Sequence, residues 1–333
     1  MKICVFGVGA IGGVVAARLA RAAEQGKTGD AISVLARGAQ LAAIRARGLR
    51  LVDSEGTDIT VELQASDDAK ALGPQDLVVV ALKGHQLPAA APEIAALLGP
   101  KTRVVMVLNG IPWWYFHGME SAHRDRQLPL LDPDGALWKR IGPDRVIGCV
   151  AYCSARVDEP GVVRQNGGRS FALGEPSGVM TEDLKRATRL FDDAGLNATA
   201  SPRIRDEIWG KLLFNAAINP TSALIGCTSN ELARDPGVAG VLRRIMTETY
   251  AVGRAHGARV DIDIDGMVEG AKHFGANKSS MLQDMERGRP LEVDGILGAV
   301  VALGKLADVP TPTVETILAL VSLRGRIAAR QVG

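Results

Sequence analysis

Three glycines, Gly7, Gly9 and Gly12, follow directly on the β-forming run Ile3-Cys-Val-Phe6 and open the helical pattern Val14-Val-Ala-Ala-Arg-Leu-Ala-Arg21. Strand, tight turn and helix in that order confine the chain to a βαβ beginning. The first glycine permits the turn, the second lets a pyrophosphate approach the backbone, and the third lets helix pack on strand, with the helix N-terminus facing the phosphates. A bare G-x-G-x-x-G is weak evidence, but directly after a strand it is strong. Gly7, Val8, Gly9, Ala10, Ile11 and Gly12 are therefore the candidate cradle of a dinucleotide.

The next strand is expected at Ala31–Leu35, whose end normally offers a carboxylate to an adenosine ribose when the cofactor is NAD. Here Ala36-Arg37-Gly38 follows. A carboxylate repels a 2′-phosphate, whereas the Arg37 guanidinium can grip it, so the spacing predicts NADPH/NADP+. If Arg37 merely points into solvent, indifference between the cofactors is expected instead. Asp76–Leu82 and Arg103–Leu108 read as buried parallel strands ending at Lys83 and at Asn109-Gly110, and ligands of open α/β sheets lie at such strand ends. Lys83 and Asn109 are thus placed to touch cofactor or substrate, although Asn-Gly is also an ordinary turn. Further β-rich sequence from Val146 to Gly174 suggests a hairpin around Glu159-Pro-Gly161. A helix over Thr181–Gly195 and a linker at Asn197–Pro202 complete an expected first domain of residues 1–200.

The 333 residues exceed the usual size of a single core. At 47% hydrophobic and 23% charged, with a net charge of +2, the composition is that of a folded α/β protein. It lacks the concentrated basic face that phosphate backbones need, so nucleic acid is not an expected partner. The N-terminal apolar stretch is broken by glycines too early for a membrane span or secretory signal, and a cytoplasmic protein is expected. Cys4, Cys149, Cys153 and Cys227 have neither disulfide-framework nor zinc spacing; buried thiols and no metal are predicted.

Beyond Pro202 the strand signal stops. Helices are expected at about 204–226, 237–257, 266–286, 291–307 and 312–329, in a second domain of residues 201–333. Within the first of them Lys211, Asn215 and Asn219 recur every fourth residue and share one face of an otherwise apolar helix. Either the face is a solvated stripe or it is a site. A solvated stripe usually mixes Glu, Lys, Gln and Arg, while one Lys with two Asn, followed by Pro220, suggests positioned donors and acceptors. Further on, Lys278-Ser-Ser280 to Glu292 reads as helix, turn, helix. Pro290 then stands at the new helix start and Glu292 in its first turn, where a carboxylate is also ordinary capping chemistry.

Taken together, Gly7-Val-Gly-Ala-Ile-Gly12, Ala36-Arg37-Gly38, Leu82-Lys83, Asn109-Gly110, Trp209-Gly-Lys211 through Asn219-Pro220, and Ser279-Ser-Met-Leu-Gln-Asp284 to Glu292 resemble the ketopantoate reductase (2-dehydropantoate 2-reductase) family along nearly the whole chain. The resemblance implies an α/β Rossmann N-terminal domain, an all-α C-terminal domain, and an active site in the interdomain cleft. It implies that Lys211 is the proton donor, that Asn215, Asn219 and Ser280 bind substrate, and that Glu292 sits beside nicotinamide and substrate. It also implies that Arg37, Lys83 and Asn109 contact NADPH; Asn109, at a strand end, is carried as a substrate contact as well. The resemblance implies a further substrate asparagine at Ser229-Asn230, assigned to Asn230. The chemistry is consistent: hydride delivery to a 2-oxo carbon builds negative charge on oxygen, which an ammonium stabilises and protonates.

One stretch departs from the family. Ile111-Pro-Trp113-Trp114-Tyr115-Phe116-His117 leads into a long polar connection, and with Trp138 it holds five of the thirteen aromatic residues. It reads either as the wall or lid of an enlarged pocket or as an apolar plug between domains or subunits. The expected function is therefore NADPH-dependent reduction of a 2-oxo acid, foremost ketopantoate. A bulkier or aromatic 2-oxo acid is one alternative, and a non-catalytic NADP(H)-binding redox sensor is the other. Apolar helices late in the chain would serve a homodimer, or equally a core.

Overall fold

The computed structural model describes residues 1–275 and 278–332. The chain divides into two compact units: Met1–Leu108 with Trp113–Ile204, and Asn109–Pro112 with Arg205–Gly333.

The first unit is built on strands β1 (Lys2–Phe6), β2 (Ala31–Leu35), β3 (Leu49–Asp53), β4 (Asp58–Val61), β5 (Gln64–Ser66), β6 (Gln75–Val80), β7 (Leu98–Val107), β8 (Val146–Glu159), β9 (Val162–Gly174) and β10 (Ala198–Ala200). Its helices are α1 (Ala10–Glu24), α2 (Gly38–Arg47), α3 (Ala69–Leu72), α4 (Leu87–Ala96), α5 (Ala136–Arg140) and α6 (Glu182–Asp193). The strand order is β4-β3-β9-β8-β7-β6-β1-β2-β5, with β10 beside β9. β1 runs parallel to both β2 and β6, β7 is parallel to β6 and β8, and β8 pairs antiparallel with β9 through the expected hairpin. Near-continuous apolar runs form these central strands because parallel sheets are buried on both faces; Ile3, Val5, Val79 and Val105 are all fully buried.

The expected linker is not one. Ala198–Ala200 extends the sheet beside Phe171–Leu173, because a short β-competent triplet lies within the turn-forming Asn197 and Pro202 that dominated the reading. Of the two readings of the aromatic segment, burial agrees with apolar packing and not with an open wall or lid. Trp113, Trp114, Tyr115 and Phe116 are at most 2% exposed, and Trp114 lies so close to Gly148 of β8 that a Cβ there would meet its ring at 2.7 Å. Four consecutive large rings that exclude water are core. Trp138 packs edge-on against Trp113, and Asp132, 3% exposed, accepts from the Leu137 and Trp138 N–H groups at the start of α5.

The second unit holds, among its described residues, α7 (Ile204–Ile225), α8 (Ser229–Arg234), α9 (Pro236–Ala255), α10 (Ile264–Ala271), α11 (Ser280–Glu286), a π-helical turn at Asp294–Gly298, α12 (Ala299–Leu306) and α13 (Pro312–Val332). α7 runs through Pro220 to Ile225, in agreement with the helix expected at about 204–226. The single helix expected over 266–286 is two, α10 and α11, and Ala276 and Asn277 between them lie outside the described residues. Pro290 and Glu292 precede the next helical turn rather than starting it. Packing is tight: Gly253 of α9 lets Trp209 approach to 2.9 Å of a Cβ position, and Glu248 accepts from the Thr313 and Val314 N–H groups that open α13. No disulfide joins the four cysteines; Cys4 and Cys149 are buried as expected, whereas Cys153 and Cys227 are only half-buried, and burial pushes the Cys4 thiol up to about 11.

A buried ion pair pins α1 to the sheet. Arg18 donates to Asp53 at 2.9 Å and to Gln165 at 3.1 Å, and the Asp53 carboxylate also receives the Glu55 and Thr57 N–H groups. Burial alone would raise the Asp53 pKa; the bonds from Thr57 and Glu55 and the Arg18 charge outweigh it and hold the carboxyl below its usual value. A depressed folded-state pKa contributes stability at and above the ordinary carboxylate range, and that contribution is lost as pH falls through the folded value. Asp53→Ala, which strands Arg18, should cost roughly 3–5 kcal/mol in denaturant unfolding at neutral pH. The variant's deficit should shrink below about pH 4, and a deficit independent of pH would contradict the assignment.

Candidate functional site

In the first unit the loop from β1 into α1 is shaped by missing side chains. Gly7 has φ +97°, and a Cβ on Gly12 would stand 1.9 Å from the Gly7 carbonyl oxygen. The turn closes only if residue 12 has no side chain. Gly13 faces Val163 of β9, which a Cβ would meet at 2.5 Å. Gly9 differs: it is exposed, and a Cβ there would meet nothing within 4 Å. Gly9 is also the N-cap of α1 and contributes no side-chain cap, so the first N–H groups of a 15-residue helix open onto that clear space. These features fit a pyrophosphate. Val8 is buried, whereas Ala10 and Ile11 are half-buried beside the loop.

Arg37 follows β2 in extended conformation as the N-cap of α2. Its guanidinium is 62% exposed and pairs with Glu93 of α4. Lys83 follows β6 and opens the turn leading to α4, where its N–H donates to the Gln86 side chain at 3.0 Å.

The second unit brings two of the expected residues into contact. Lys211 Nζ donates to Asn109 Oδ1 at 2.8 Å. Lys211 and Asn215 are half-buried and Asn219 is 7% exposed, so the face they share on α7 is not a fully solvated stripe. Asn109 is held by its successors. Gly110 has φ +77°, and a Cβ on it would stand 2.2 Å from the Gly295 carbonyl oxygen, which accepts the Ile111 N–H at 2.8 Å. Gly295 belongs to the π-helical turn that begins two residues after Glu292. Glu292 is half-buried. Ser280 opens α11 and is exposed; the neighbouring Ser279 performs the capping, accepting the Leu282 N–H at 3.1 Å. Asn230 lies in the first turn of α8, with its Oδ1 engaged by the Thr228 hydroxyl at 2.5 Å.

Two participants escaped the sequence reading. Gly295 carries no motif; only its distant meeting with Gly110 gives it meaning. Glu93 sits in an apolar, proline-containing helix, where a lone carboxylate gives no sign of its partner 56 residues away.

Residues 3–178 match the family described as "Ketopantoate reductase PanE/ApbA" and residues 203–325 match "Ketopantoate reductase PanE/ApbA C terminal". A 2-dehydropantoate 2-reductase of Mesorhizobium japonicum is 47% identical over 96% of this chain and 97% of its own. A crystal structure of a candidate ketopantoate reductase from Ralstonia solanacearum superposes with TM-score 0.91 at 39% identity, covering 98% of both chains. A D-mandelate dehydrogenase solved with NADH and anilino(oxo)acetate has TM-score 0.81 at 21% identity over 98% of this chain and 99% of its own, a likeness of fold.

The glycine geometry separates folding from binding. Gly9→Ala should leave the melting temperature within about 2 °C of the parent, since surface changes without strain cost little, yet abolish measurable dinucleotide binding in a fluorescence titration. Gly12→Ala should lose both stability and binding. Retention of binding by Gly9→Ala would remove the phosphate from that loop.

Proposed function

The chain belongs to the ketopantoate reductase family, and from that premise we propose that it reduces 2-dehydropantoate to pantoate with NADPH. The observation that carries the reading is the Lys211–Asn109 contact: an ammonium held by a side chain that begins where β7 ends. A dinucleotide held by the Gly7–Gly12 loop would supply the hydride that reduces the C2 carbonyl carbon. Lys211 stabilises the charge that develops on the carbonyl oxygen and delivers a proton from Nζ to it, giving the 2-hydroxy acid and a neutral amine that solvent reprotonates. Asn109 orients that ammonium. Asn215, Asn219 and Ser280 are assigned to the substrate's polar groups, with Asn230 as a weaker candidate, and Glu292 to holding the lysine and the nicotinamide end. The glycine loop takes the pyrophosphate, while Arg37 and Lys83 take the 2′-phosphate side.

The buried state of Trp113–Phe116 favours ketopantoate over a bulkier acid, because these rings are committed to the core. Among the described residues no helix is long and apolar enough to cross a membrane, and we place the enzyme in the cytoplasm with its cofactor. A second copy of the chain is our proposed partner. Ile225, Val238, Val241, Leu320, Leu323 and Ile327 line an open apolar groove of about 490 Å³ on α7, α9 and α13, and Leu320 and Leu323 are more than half exposed. Patches of this kind mark contact surfaces. Leu323→Glu should shift the sedimentation coefficient to that of a monomer; an unchanged value would refute this surface.

Lys211→Ala should lower kcat with ketopantoate by roughly 10²–10⁴-fold, the range of general acid catalysis, with NADPH affinity changed less than about threefold. Near-parental turnover would end the proton-donor assignment. The substrate is tested by NADPH oxidation with ketopantoate beside a panel of aliphatic and aromatic 2-oxo acids, where a higher kcat/KM for an aromatic acid would overturn the proposed substrate.

A further inference from the structure

Arg37 is not waiting alone at the end of β2. Its guanidinium is bridged to Glu93, which lies on α4, the helix between β6 and β7. In the sheet β1 stands between β2 and β6, so the bridge joins elements on either side of the strand that leads into Gly7–Gly12. A dinucleotide with its pyrophosphate on α1 lays its adenosine ribose at the end of β2, beside this ion pair. A 2′-phosphate arriving there meets a guanidinium whose charge is already shared with a carboxylate, and a carboxylate that repels it. A ribose carrying two hydroxyls meets no such opposition, since hydroxyls donate to a carboxylate as they do at the acidic strand end of NAD-binding proteins. The Glu93 side chain is 37% exposed, so an incoming phosphate meets its charge as well as that of Arg37.

We propose that Glu93 is a specificity-determining residue that competes with the cofactor's 2′-phosphate for Arg37 and so narrows the preference for NADPH over NADH. The inference rests on the reading of Arg37 as the 2′-phosphate contact and adds a residue to it. Glu93 does not act on the reaction. It sets the cofactor ratio at which the enzyme operates.

The test is binding. Parent, Glu93→Gln, Glu93→Asp and Arg37→Gln proteins are titrated calorimetrically with NADPH, NADH and 2′,5′-ADP at low and high salt, after thermal melts establish that each is folded. Glu93→Gln should bind NADPH and 2′,5′-ADP about twofold to fivefold more tightly than the parent at low salt, the scale of an exposed charge pair, with the gain diminished at high salt. Its affinity for NADH should stay the same or fall, and Glu93→Asp, which keeps the charge, should lie between it and the parent. Unchanged or weaker NADPH binding by Glu93→Gln overturns the proposal. If Arg37→Gln abolishes the discrimination while Glu93→Gln leaves it untouched, only the role of Glu93 fails. If Arg37→Gln leaves the discrimination intact, the Arg37 reading fails and the proposal with it.

Discussion

The approach of two backbones at Gly110 and Gly295 is the constraint on which the site depends. A side chain at position 110 would collide with the Gly295 carbonyl oxygen, and φ of +77° at that position already disfavours any residue but glycine. Because both positions are glycine, Ile111 can donate to Gly295, and Asn109 is fixed with its amide oxygen against the Lys211 ammonium. A half-buried ammonium without an oxygen partner would carry a large desolvation cost. Asn109 belongs to a segment of four residues, Asn109–Pro112, that groups with the helical unit. The π-helical turn at Asp294–Gly298 belongs to the same arrangement. Turns of this kind shift the normal register of helical bonds and are frequent at functional sites.

How much of this could be read beforehand depended on distance along the chain. The glycine cradle was legible because its three glycines act on one another within six residues, and strand and helix flank them directly. The polar face of α7 was legible because Lys211, Asn215 and Asn219 share a helical period. Where a residue's meaning comes from a distant partner, local pattern is silent: Arg37 gives no sign of Glu93, nor Gly110 of Gly295. Sequence also misjudged elements whose local signal was short or mixed. β3, β4 and β5 are brief and carry charged or polar residues, β10 hides among turn-formers, and Glu292 lies in irregular backbone where capping chemistry suggested a helix.

The aromatic segment shows why composition alone does not identify a binding surface. Consecutive tryptophans near a strand end are equally compatible with a pocket, a lid or a core, and only burial separates these cases. Trp113 and Trp114 are interior, yet their indole N–H groups find no acceptor among the described residues. Each such group opposes folding by a cost that apolar burial must exceed. The adjoining loop is fastened independently, with His117 between Asp125 at 2.7 Å and Asp144 at 3.2 Å.

Each unit has a close backbone approach that rests on atoms that are absent. At Gly12 and at Gly110 a missing Cβ lets one backbone touch another, and the approach itself sets the geometry of the β1–α1 loop and of the segment that carries Asn109. At Gly9 the missing Cβ faces open space, and its only consequence is for what can come near the N-terminus of α1. Charge then acts on this frame of backbone contacts. Arg37, Glu93 and Lys83 lie half-buried or exposed on strand ends and a helix, where substitution alters affinity without disturbing the core. A scaffold fixed by glycines can accept substitution at exposed charges such as Arg37 and Glu93 while the backbone approach of Gly110 to Gly295 stays the same.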